Sequence, residues 1–352
     1  MEAVILTGGG RKSKLMLSKL AMSGTVLRQA LGWAVLPFLQ AAEEVLMGGQ
    51  AVIEGVMMRS PHSYAIAVRQ PSGRLAVTQA YLARPSEKYP WLKYPILRGL
   101  GVLGQGLVLG MRALRYSADQ ALAGPEAKVS GDARADKKGE LSGWIIALNV
   151  AISLAFFIVL YKLVPLYLAT LLTRRYPEAN TAFTFNLLDG TIRIALFLGF
   201  LIFVAQWKEI QRVFEYHGAE HKAVWAFEKG GPIDLAAARA CTRFHPRCGT
   251  SFLLVVMAIA MVLYMFLPFH SFAMRLLGRI ALLPVIAGVS YEFIRFAGKS
   301  QGALWRGASQ PGLWLQRVTT REPDDGQLET ALKALETAMA LERNRGGELV
   351  VA

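Results

Sequence analysis

The sequence predicts an α-helical polytopic membrane protein with about four transmembrane helices, a small cytoplasmic β element and a C-terminal amphipathic helix. Three observations lead there. Four apolar stretches of roughly 20 residues, the length that crosses a bilayer, follow one another between residues 143 and 298. Composition agrees: 53% of residues are hydrophobic, mean hydropathy is +0.34, and charged residues reach only 18%, below the ~25% usual for soluble domains. Third, residues 48–82 have a different texture, with short β-branched runs alternating with polar positions.

Residues 1–47 read as a basic segment with a helix. Arg11, Lys12, Lys14 and Lys19 precede the modest apolar stretch LGWAVLPFLQAA, which lacks the features of a cleaved secretory signal. ILTGGGRKSK misses the Gly-x-x-x-x-Gly-Lys-Ser/Thr spacing of a phosphate loop. Residues 48–123 combine the β element, with PSG at 71–73 as a hairpin turn, and a glycine-rich helix. The apolar core of that helix, Gly99 to Met111, is too short to span and is expected to be re-entrant, interfacial or packed on other helices. GPEAKVSGDARADKKGELS (124–142) is a polar linker. The membrane domain, 143–298, has expected spans at 143–172 (kinked at Pro165), 187–207, 250–269 and 276–298, with a loop at 208–249. In the tail, 299–352, Leu328, Leu332, Leu335 and Leu341 stand at helical spacing.

The formal net charge is +14. In a membrane protein this points to cytoplasmic loops facing anionic lipid, and it leaves room for a ribosome or membrane-protein partner; no specific DNA binding is expected, and a homo-oligomer is open. Lys208, Arg212, Lys222, Lys229, Arg239, Arg243 and Arg247 concentrate in the 208–249 loop. They place that loop and both termini in the cytoplasm, outnumbering Arg174 and Arg175 on the other side. Arg193 is expected to snorkel or to pair with Asp189 one turn earlier. Two cysteines, Cys241 and Cys248, make no disulfide framework and suit a reduced compartment.

Five of the seven histidines and cysteines, His217, His221, Cys241, His245 and Cys248, fall within residues 217–248. On a helix, residues four apart share a face, so His217 and His221 can aim at one ion with Glu220 beside them. His-x-x-Glu-His is the inverted zinc-protease motif, whose glutamate is a general base. His245 and Cys248 offer nitrogen and thiolate donors suited to zinc or another divalent metal. Glu292, near the cytoplasmic end of the last span, is a distant ligand, a proton acceptor or an ion-pair partner of Arg295. Three protein ligands with an open position would mean a metal-dependent hydrolase with Glu220 as its base. Four would mean a structural site in a membrane scaffold or assembly factor. The bland alternative is a polar loop whose histidines and cysteines merely pack.

Geometry constrains the site further. His217 lies ten residues after Trp207, about 15 Å along a straight helix, whereas Cys248 is tied to the next span. A shared ion therefore requires either a bend after Trp207 or a third span that rises above the bilayer. No paired discontinuous helices or internal repeat suggest a transporter.

GGQAVIEGVMMRSP, EYHGAEHK, HPRCGTSF and YEFIRFAG, in that order over roughly residues 45–310, resemble the YqhQ-like family of bacterial membrane proteins. That family is of unknown function and is described as a predicted metal-dependent enzyme. The resemblance implies a bacterial inner-membrane location and a metal, and it carries over to His217, Glu220, His221, His245, Cys248 and Glu292. It supplies neither substrate nor reaction.

Overall fold

The computed structural model describes residues 47–122, 143–176, 181–267, 271–299 and 303–344. The basic N-terminal segment expected up to residue 47 and the linker expected at 124–142 lie almost wholly outside them.

The β element is a four-stranded antiparallel meander: β1 (Gly48–Val52), β2 (Gly55–Arg59), β3 (Ser63–Arg69) and β4 (Leu75–Tyr81). Its register pairs Val52 with Gly55, Arg59 with Tyr64, and Arg69 with Leu75. The tight β1–β2 turn needs a left-handed residue, and Glu54 supplies it at φ 53°. PSG turns the β3–β4 hairpin as expected, with Gly73 at φ 81°. Alternation then sorts side chains onto two faces. Val52, Met57, Ile66 and Val68 pack with Leu109 and Ala113; Val56, Met58, Ala65 and Ala67 belong to the largest core of the molecule. Both faces are covered, which is why consecutive β2 and β3 residues are apolar.

The first face is covered by α2 (Leu97–Ala121), which follows the short α1 (Pro85–Lys88) and a 3-10 turn, Pro90–Lys93. The glycine-rich stretch is thus one continuous helix packed on the sheet. Downstream come α3 (Gly143–Ile158), a π-helical turn (Val159–Leu163), α4 (Val164–Arg175), α5 (Ala182–Val204), α6 (Lys208–Glu228) and α7 (Leu235–Arg239). They are followed by α8 (Gly249–Met265), α9 (Phe272–Ala281), α10 (Leu283–Lys299), α11 (Ala303–Thr319) and α12 (Asp325–Asn344). The second sheet face is covered by α6, through Tyr216, Ala219, Ala223 and Phe227, and by α12, through Leu328, Ala331, Leu335 and Ala338. The C-terminal amphipathic helix is therefore a structural layer of the sheet domain.

Among the described residues two helical segments, Ala151–Arg175 and Ala182–Val204, are long and apolar enough to cross a membrane. In an apolar 18-residue window of each, only 11% and 22% is buried within the protein, so their apolar surface needs another environment. The expectation of four spans is corrected here. The fourth stretch is a pair, Phe272–Ala281 with Leu283–Phe296, bent by 47°, which makes a third candidate if the pair counts as one span. The stretch expected as span three forms a helix of only 17 residues, Gly249–Met265, which is apolar but short. At 1.5 Å per residue it covers about 25 Å of a ~30 Å hydrocarbon layer. The irregularity near Pro165 is the π-helical turn just before it.

One buried polar knot fastens α12 to the sheet. The Glu342 carboxylate, nearly inaccessible, accepts hydrogen bonds from Ser60 Oγ (2.6 Å), the His62 N–H (3.0 Å) and His62 Nδ1 (2.8 Å). Burial pushes its pKa up, but the bonds from Ser60 and His62 outweigh burial and hold it below the ordinary value. A depressed carboxylate stabilises the fold above its unfolded pKa, and that contribution is lost as pH falls through the folded value. Glu342→Gln should destabilise by about 2–3 kcal/mol at pH 7. In thermal unfolding, the gap from wild type should narrow as the pH drops below ~4.

Candidate metal centre

The helix carrying the inverted motif begins after a break. α5 ends at Val204, Trp207 has extended backbone, and α6 starts at Lys208. The centre of α6 is buried on the sheet domain, and the next segments fold back over it. Trp225 Nε1 donates to the Phe244 carbonyl (2.8 Å), and Lys222 Nζ donates to the Arg239 carbonyl (3.2 Å). On the other side the Thr319–Pro323 segment crosses α6, with the Arg321 N–H bonded to the Phe214 carbonyl (2.9 Å). Gly218 permits that crossing: a Cβ there would collide with the Arg321 carbonyl oxygen.

These crossings place two carbonyls on the histidines. His217 Nδ1 lies 2.8 Å from the Thr319 carbonyl, and His221 Nδ1 lies 2.5 Å from the Arg243 carbonyl. A carbonyl can only accept, so each Nδ1 carries the hydrogen and each neutral ring keeps its lone pair on Nε2. One ring nitrogen of each histidine and Cys248 Sγ lie within 4.8 Å of one another. Cys248 caps the first turn of α8, accepting the Thr250 N–H, and its sulfur is 3.2 Å from His217 Nε2. His221 Nε2 is buried and has no hydrogen-bond partner among the described residues, an orphan that a cation would satisfy. Two imidazole nitrogens and a sulfur are the donor chemistry of zinc-type sites, with outer-shell carbonyls fixing the rings.

Glu220 completes the group. It is buried, with Oε2 3.6 Å from His221 Nε2. Burial raises its pKa; His217, His245 and the Gly49 N–H act against that. The Gly49 contact brings β1 into the site. A Cβ on Gly49 would lie 2.8 Å from Glu220 Oε1, so glycine is what lets the strand approach the carboxylate.

The ligand set expected from the sequence is narrower in the structure. His217, His221 and Cys248 come together; His245 and Glu292 do not join them. His245 packs against Trp225, ring centroids 4.8 Å apart, and its Nδ1 accepts the Arg247 N–H while Nε2 faces Glu228 at 3.3 Å. Both nitrogens thus face protein partners, although the ring centroid lies 5.7 Å from that of His221. Both Glu292 oxygens are taken by Arg98 on α2, at 2.6 and 2.5 Å, and Oε1 also faces the Ile96 N–H. This ion pair, with Arg98 where Arg295 was expected, ties α10 to the left-handed turn at Ile96 (φ 68°) that starts α2. Cys241 lies in the apolar core with Ala238 and Leu335. Sequence reasoning missed Gly49, whose only signal was the GGQ motif, and the Thr319 and Arg243 carbonyls, which carry no side-chain signal.

A family model described as "Protein of unknown function (DUF1385)" matches residues 94–341. The chain belongs to the DUF1385 family. The Uncharacterized protein YqhQ of Bacillus subtilis (strain 168) is 33% identical over 303 residues, covering 84% of this chain and 92% of that one. No solved structure matches. DUF1385 thus spans the whole His/Cys cluster, and the expected YqhQ-like membership holds.

Two glycines test the backbone crossing. Gly218→Ala should destabilise this DUF1385 protein by about 1–3 kcal/mol through overpacking. Gly104→Ala, in the interior of α2 with open space around it, should stabilise by ~0.5–1 kcal/mol. Opposite shifts in thermal unfolding are expected; shifts of the same sign would contradict the crossing.

Proposed function

We propose that the protein is a multi-pass protein of the bacterial plasma membrane that holds a divalent metal, zinc by donor type, at its cytoplasmic face and acts as a metal-dependent hydrolase. The observation that carries this reading is the buried His221 Nε2, unpartnered among the described residues, in a cluster with His217 and Cys248 beside a buried carboxylate. Cytoplasmic placement is supported by the basic residues of 208–249.

His217, His221 and Cys248 would hold the ion. When bound, a divalent cation there supplies Lewis-acid polarisation of a carbonyl or phosphoryl oxygen and makes water more acidic. Glu220 is the proton acceptor of the site, and the Gly49 N–H orients it. Beside the ion such a carboxylate would be placed to take a proton from water and pass it to a leaving group. The tautomers fixed by Thr319 and Arg243 keep the two imidazoles as donors of lone pairs.

Three protein ligands, with His245 and Glu292 engaged elsewhere, favour the open catalytic arrangement over a closed structural site in a scaffold. Metal analysis with X-ray absorption on the purified protein checks this. About one ion per chain is expected, with one sulfur, two imidazole nitrogens and a further light donor. His221→Ala and Cys248→Ser should lose the metal, while His245→Ala should retain it. Glu220→Gln should bind metal as wild type does yet fail to complement a deletion strain. Full complementation by Glu220→Gln would leave a structural site and remove the hydrolase.

A further inference from the structure

A second polar centre lies among the apolar helices. Asp189 sits in the first half of α5 and Arg193 midway along it, and Arg279 comes from α9; all three are almost fully buried. Asp189 bridges both arginines, with Oδ2 2.5 Å from Arg193 Nη2 and Oδ1 2.6 Å from Arg279 Nη1. Arg279 Nη2 also donates to Asn186 Oδ1 (2.9 Å). Lys162, from the π-helical turn, joins through the Tyr264 hydroxyl (3.0 Å). The Tyr264 ring packs against both guanidinium groups, at 5.3 Å from Arg193 and 4.9 Å from Arg279.

Backbone irregularity surrounds the cluster. Pro165 has no N–H to give the Tyr161 carbonyl four residues back, and that carbonyl accepts Arg193 Nε at 3.1 Å. The 47° bend between α9 and α10 falls three residues after Arg279. Interruptions of this kind at membrane depth are found where helices are buried in protein or line a binding site.

The charges do not balance. Among the described residues, three cationic side chains, Lys162, Arg193 and Arg279, face one carboxylate, Asp189, and charge is expensive in an apolar layer unless neutralised. In addition, Arg193 Nη1 is buried and has no hydrogen-bond partner among the described residues, although Arg193 is only 3% exposed. Lys162 is only partly buried, so the cluster opens at its side.

We propose that Lys162, Arg193, Arg279 and Tyr264 form an intramembrane binding site for a phosphate group. A phosphate supplies both the missing negative charge and several acceptor oxygens for Arg193 Nη1 and the Lys162 ammonium. The group arrives either on a lipid or as a free anion. The proposal rests on the membrane reading of these helices and is independent of the metal centre.

Thermal unfolding and native mass spectrometry of the detergent-purified full chain test it with three probes: phosphatidylglycerol, inorganic phosphate and phosphate-free diacylglycerol. Wild type should be stabilised by phosphatidylglycerol, by inorganic phosphate or by both, and not by diacylglycerol. A response to phosphatidylglycerol alone identifies a lipid headgroup; a response to inorganic phosphate identifies a free anion. Lys162→Met leaves the Asp189 bridges intact and should bind the effective probe about tenfold more weakly, the loss of one charge-assisted contact. Should that variant not fold, Arg193→Lys, which keeps the charge and loses the fork, is read in the same way. The proposal is overturned if folded wild type responds to neither phosphate probe, if diacylglycerol serves equally, or if the folded variants bind as wild type does. Release from membranes by carbonate without detergent would sink the membrane reading separately, and the inorganic-phosphate arm would still test the cluster.

Discussion

The Thr319 and Arg243 carbonyls govern the chemistry open to His217 and His221. Each takes an Nδ1 hydrogen, so each ring keeps its lone pair on Nε2, and that of His217 faces Cys248. Were either ring to lose its carbonyl, it would be free to rotate and to exchange tautomers, and the convergence with Cys248 Sγ would disappear. The carbonyls in turn depend on two segments being laid across α6, one on each side. Gly218 admits the first, while the bonds from Trp225 and Lys222 hold the second. Close backbone approach, secured by side-chain bonds from α6, is therefore what orients the histidines.

The sheet serves the same end. Its meander is buried on both faces, which gives α6 a firm surface to lie on and brings the edge strand β1 against Glu220. A carboxylate held by a backbone N–H and otherwise removed from water is a different reagent from one on a surface helix. The Arg98–Glu292 pair plays the complementary part, joining α2, which covers the sheet, to α10 in the apolar region.

Much of this was legible in the residues. The His-x-x-Glu-His spacing implied a helix with three groups on one face, and α6 is that helix. The distance argument from Trp207 required a break or a raised span, and the chain breaks at 205–207 before His217 and Cys248 meet. β alternation, the PSG turn and the leucine spacing of α12 were equally visible, as was the Asp189–Arg193 pair. What failed to show depended on tertiary contact. Hydropathy registers 276–298 as apolar but cannot register a 47° bend within it, and it does not distinguish a 17-residue helix from a full span. Glu292 looked like a possible ligand because its partner, Arg98, lies 194 residues away. His245 satisfied the donor chemistry, yet Arg247 and Glu228 occupy both its nitrogens.

The Thr319 carbonyl that orients His217 comes 102 residues after it in the chain. Synthesis runs from the N-terminus, so His217, Glu220, His221 and Cys248 are all made well before the group that fixes the first ring. The C-terminal helix that closes the sheet over α6 comes later still, with Glu342 reaching back 282 residues to Ser60. A nascent chain thus carries every donor atom without the geometry that makes them a site. On the proposed reading, the geometry that would hold a metal is complete only in the finished protein.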